Sequence, residues 1–78
     1  MKNITFAKWL KSARLDKSIS QEELAKKTCI SYCTINMIEN GRTHPSHITI
    51  KLLSNFFKVP VGVLNEINEN DKTKNLSK

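Results

Sequence analysis

Apolar residues recur every three or four positions from Ile4 to about Asp16, with Phe6, Trp9, Leu10 and Ala13 on one stripe and Lys8, Lys11 and Arg14 on other faces. That spacing predicts an amphipathic helix over 4–16. Ser20-Gln21-Glu22-Glu23 has the form of a capping box and predicts a second helix over 21–28, with its acidic residues well placed in the first turn. Cys29-Ile30-Ser31 interrupts the pattern. Ser31 is a cap for a third helix over 32–39, which turns Ile35 and Ile38 inward and stops at Asn40-Gly41. Ser46 caps a fourth helix over 47–57, with Ile50, Leu53 and Phe57 on one stripe. Pro60 suits the start of a short fifth helix, 61–66, which buries Leu64 with Val63 beside it. Residues 68–78 are almost wholly Asn, Lys, Asp, Thr, Ser and Glu-type polar positions with one Leu, too little apolar surface to order a segment, and read as a flexible polar tail. No segment has the alternation of a useful strand, so the expected fold class is all-α: a compact five-helix bundle formed by residues 1–67.

Length and charge narrow what such a bundle does. Seventy-eight residues allow one small core and leave no room for a separate catalytic domain. A net charge of +6 favours a polyanionic partner, nucleic acid or an acidic membrane surface. Apolar runs fall far short of a membrane span, and no apolar stretch follows Lys2, so the expected location is cytoplasmic. The two cysteines, four apart in a helical register, read as free thiols. No carboxylate pair, nucleophile motif or phosphate loop is present, so the sequence predicts no enzyme, cofactor or small-molecule ligand.

Two short helices joined by three residues, the second with a polar outer face, outline a helix-turn-helix, a DNA-binding element. The residues Gln21-Glu22-Glu23-Leu24-Ala25, Ile30-Ser31, Ile35, Ile38-Glu39-Asn40-Gly41-Arg42 and Pro45-Ser46 resemble the pattern of the lambda-repressor-like (Xre-type) helix-turn-helix family. The resemblance covers roughly residues 4–65. It implies a bundle whose third helix enters the major groove of double-stranded DNA, in a homodimer on a pseudo-palindromic operator. It also implies that Arg14 and Glu39 form a structural ion pair. One departure stands out: the family commonly has glycine where this chain has Cys29. Keeping a left-handed backbone there would cost about 1 kcal/mol.

Helical geometry locates the readers. With Ile35 and Ile38 inward, the step of about 100° per residue puts Tyr32, Cys33, Asn36 and Met37 outside, with Ser31 at the helix start. These five are the expected base contacts: Asn36 as a bidentate partner of adenine, Ser31 as a hydrogen bonder, and Tyr32, Cys33 and Met37 on thymine methyl groups. The alternative has Tyr32 or Met37 packing against a neighbouring helix. Gln21, in the first turn of the second helix, is expected on a phosphate, as are Thr34, Asn40, Arg42, Thr43 and His44.

Other chemistries compete for the same residues. Cys29-x3-Cys33 and His44-x2-His47 supply four potential zinc ligands, but the spacing fits a structural site only approximately and no metal is expected. A redox-sensing Cys33 is a further alternative. Ile48, Leu52 and Phe56 form a second apolar row on the fourth helix; with Val61, Val63 and Ile67 they are the expected dimer interface, unless they pack beneath helices one and five. The expected function is therefore a transcriptional regulator, a repressor. The other class in contention is a protein-interaction module, such as an antitoxin or immunity regulator.

Overall fold

The computed structural model describes residues 4–76, with side-chain surroundings for residues 4–71; residues 1–3, residues 77–78 and the side chains of 72–76 lie outside the described residues. All secondary structure among the described residues is helical: α1 Phe6–Asp16, α2 Gln21–Thr28, α3 Tyr32–Glu39, α4 His47–Phe57 and α5 Val61–Leu76. The first four helices begin on hydroxyl caps. Thr5, Ser20, Ser31 and Ser46 hold extended backbones and accept from the amides of Lys8, Glu23, Thr34 and Thr49. Each such cap contributes about 1 kcal/mol. At Ser20 the box closes, with the Ser20 amide donating to the Glu23 carboxylate at 3.0 Å.

Helix ends are set by left-handed residues, only one of them glycine. Gly41, at φ 74°, follows α3. Its amide donates to Ile38 O and that of Arg42 to Met37 O, a Schellman closure. Ser18, Cys29 and Lys58 hold positive φ without being glycine. Cys29 thus keeps the conformation that the family's glycine suits, at φ 63°, and its amide donates to Ala25 O. Ile30, beside it, is buried in the core.

The core gathers Phe6 and Leu10 of α1, Leu24, Ile30, Ile35 and Ile38 around the turn, Ile50 and Leu53 of α4, and Leu64 of α5. Trp9 and Phe57 meet edge to face at its margin, with ring centroids 5.5 Å apart. α3 packs against α1 and α2, α4 against α2 and α5, and α5 returns to α1.

Two expectations change. Val63 is 45% exposed rather than buried. α5 continues to Leu76 instead of ending near residue 66. Polar contacts, invisible to an apolar stripe, accompany the extension. Asn68 is buried, and the Asp71 carboxylate accepts from the Phe6 amide at 3.3 Å, a favourable place for an anion at the start of α1. Among the described residues no helix is long and apolar enough to cross a membrane.

Candidate nucleic-acid interface

α2 and α3 meet across Cys29–Ser31, and the turn leaves one side of α3 open. Tyr32 and Met37 are 49% and 37% exposed, and Cys33 is exposed between them in the helical register. Their polar atoms make few protein contacts: the Cys33 thiol lies 3.8 Å from Met37 Sδ. Neither Tyr32 nor Met37 is among the side chains packed against the core. Ser31 is partly committed, because its Oγ accepts from the Thr34 amide and donates to Thr34 Oγ1 at 2.8 Å.

Asn36 differs from the other expected readers. It is half-buried; its Nδ2 donates to Gln21 Oε1 at 3.1 Å and its Oδ1 accepts from Asn40 Nδ2 at 3.1 Å. The two ends of the amide that a bidentate adenine contact engages each already hold a protein partner. Gln21 is engaged as well, its Nε2 donating to Glu39 Oε1 at 3.0 Å. One Nε2 hydrogen is thereby taken, and the start of α2 offers a phosphate the other Nε2 hydrogen together with backbone N–H groups and the helix dipole.

Beneath this network lies a charged anchor. Arg14 Nε donates to Glu39 Oε2 at 2.7 Å and Nη2 to Oε1 at 3.0 Å, a bidentate pair with both side chains nearly excluded from solvent. Nη1 donates to Ile19 O at 2.8 Å, so the guanidinium is met on three nitrogens. The hydrogen bond to Glu39 raises the Arg14 pKa above its already high ordinary value; Coulomb attraction adds to this and burial opposes it. A raised cationic pKa contributes stability at all pH below the unfolded value and loses it only as pH rises through the folded one, so the window is strongly alkaline.

The expected phosphate contacts after α3 are mixed. Arg42 and Asn40 are exposed. Thr43 and His44 are half-buried; His44 Nδ1 lies 3.9 Å from the Asp71 carboxylate, and the two residues border a crevice of about 240 Å³ with Thr5 and Phe6. Sequence reasoning did not find Asp71, because its contacts lie at the far end of the chain. Both cysteines are free and exposed, and among the described residues no three His, Cys, Asp or Glu side chains gather as a metal site. On the fourth and fifth helices, Ile48 is 69% and Val63 45% exposed, whereas Leu52, Phe56, Val61 and Ile67 lean half-buried on the core.

Two short helices crossing through a tight turn, the second seated on the bundle with an open outer side, define a helix-turn-helix protein. A family model described as "Helix-turn-helix" matches residues 10–64, and the chain belongs to this lambda-repressor-like family. It is 50% identical over 44 residues to the HTH-type transcriptional regulator YqaF of Bacillus subtilis (strain 168), covering 56% of this chain and 58% of that protein. Over 59 residues it is 32% identical to the HTH-type transcriptional activator BcrR of Enterococcus faecalis, covering 76% of this chain and 29% of that one. The chain thus spans little more than half of one relative's length and under a third of the other's. No solved structure gives a significant match.

Proposed function

We propose that the chain is a sequence-specific double-stranded DNA-binding transcriptional regulator of the cytoplasm, a repressor that occupies a pseudo-palindromic operator as a homodimer. The observation that carries this reading is the open side of α3, where Tyr32, Cys33 and Met37 stand free of the core. An α-helix presenting such a side fits the major groove. Tyr32, Cys33 and Met37 pack on base edges, with Ser31 at the helix start; the absence of Arg or Lys within α3 makes the readout one of thymine methyls and shape rather than of guanine. The amides at the start of α2 hold the backbone on one flank, with Asn40, Arg42, Thr43 and His44 on the other and Thr34 as a further phosphate contact. The net charge of +6 favours the encounter.

Selection from random duplexes tests the reading. The expected product is a consensus with two half-sites about one helical turn apart. Affinity for it falls with salt by about 0.9 logarithmic units per logarithmic unit for each phosphate held. Tyr32→Ala then alters the preferred sequence, at about 1–3 kcal/mol for the affected base pair, whereas Arg42→Ala weakens all sequences alike. No enriched sequence after repeated rounds would remove the proposal. BcrR's name as an activator favours the opposite sign of regulation. In vitro transcription from a promoter overlapping the selected site decides it: less transcript for a repressor, more for an activator.

A further inference from the structure

We infer that Asn36 is a positioning residue which ties the start of α2 to the residue that caps α3, and not a reader of bases; this rests on the DNA reading proposed above. Asn36 sits between Gln21, which opens α2, and Asn40, which caps α3, and hydrogen-bonds to both at 3.1 Å. Both lie among the positions assigned to phosphates in the DNA reading. One amide therefore ties the two grips together.

The chemistry of the chain fixes its direction. The Glu39 carboxylate, held by Arg14, can only accept. Gln21 must then turn Nε2 toward it, at 3.0 Å, which leaves Oε1 for Asn36. Asn36 must donate through Nδ2 to that oxygen, so its Oδ1 faces Asn40, which answers with Nδ2. Every donor points the same way, from Asn40 through Asn36 and Gln21 to Glu39. The buried ion pair thereby dictates the orientation of three amides, and Asn40 keeps one Nδ2 hydrogen for a phosphate oxygen. A bidentate approach of adenine to Asn36 would have to share both ends of an amide whose position two protein partners already fix.

The experiment uses the full chain and the duplex it selects from a random pool, together with the set of that duplex changed one base pair at a time. Asn36→Ala is expected to lower affinity about tenfold for every member of the set, leaving the order of preference intact. Asn40→Ala should then cost less in the Asn36→Ala background than alone, because the two share one chain. Gln21→Met cuts the same chain from α2 with Asn36 in place, and should give the same uniform loss; it keeps the test alive if Asn36→Ala lowers the melting temperature. Loosened preference confined to one base pair in Asn36→Ala would make Asn36 a reader and overturn the inference alone. Strictly additive losses for Asn36 and Asn40 would overturn it too. No preferred duplex for the unaltered chain would remove the DNA reading and this inference together.

Discussion

Around α3, polar side chains are taken out of water and joined: Arg14, Glu39, Gln21 and Asn36 form one hydrogen-bonded run between three helices. Across α4 and α5 the treatment is reversed. Ile48 and Val63 stand in solvent, and Asn68 is 4% exposed, with an Oδ1 that has no hydrogen-bond partner among the described residues. A buried polar group costs little when every donor and acceptor is met and much when one is not. An exposed apolar row is tolerated by a monomer but suits a surface that another molecule covers. The first region is thus built to hold one geometry, and the second is the part with surface to spare.

The largest effect should come from breaking the anchor of the first region. Glu39→Ala strands the Arg14 guanidinium, whose side chain is nearly buried, with only Ile19 O left of its partners. A loss on the order of 3 kcal/mol in urea unfolding is expected. Loss below about 1 kcal/mol would mean that Arg14 reaches water when released, and the contrast between the regions would weaken. Asn68→Leu asks the converse in the second region. Replacing a buried carbonyl that lacks a partner by a similar apolar volume should raise stability by about 1 kcal/mol. A fall of that size would mean that Asn68 is hydrogen-bonded after all.

The turns offer a finer comparison, since each region ends a helix on a left-handed residue other than glycine: Cys29 at φ 63° after α2 and Lys58 at φ 59° after α4. Cys29→Gly and Lys58→Gly should each stabilise by roughly 0.5–1 kcal/mol in thermal melts, the relief of backbone strain exceeding the added entropy of the unfolded chain. Both residues are exposed, so little packing is lost. Opposite signs at the two turns would show that one side chain has a contact of its own.

Local signals made the first four helices legible. Hydroxyl caps at Ser20, Ser31 and Ser46 and the stop at Gly41 each act within one turn of chain, so their spacing alone bounds α2, α3 and α4. The end of α5 was not legible, because the apolar stripe stops near Ile67 while Asn68 and Asp71 make tertiary contacts that no local pattern encodes. The site divides in the same way. That Tyr32, Cys33 and Met37 share a side follows from the helical step, and the Asn36 to Asn40 bond has the i, i+4 spacing at which a pair can be foreseen. The bond from Asn36 to Gln21 spans 15 residues and depends on how α2 crosses α3. Proximity of Arg14 to Glu39 likewise came from likeness to a family and not from spacing.

The smallest expected change in fold stability belongs to Ile48→Ser. At 69% exposure, Ile48 contributes little to the monomer's core, so a shift within about 0.5 kcal/mol is expected in urea unfolding at low protein concentration. Association should respond far more, because a two-fold contact uses each residue twice and loses two buried side chains for one substitution. Sedimentation of the unaltered chain at roughly tens of micromolar, with its selected duplex present, should report a dimer. Ile48→Ser should weaken that dimer by about tenfold or more. A dimer insensitive to Ile48→Ser would move the two-fold contact elsewhere, Val63 being the next side chain to change. A monomer in both cases would leave the α4–α5 row as ordinary surface, and the contrast with α3 would then rest on its polar half alone.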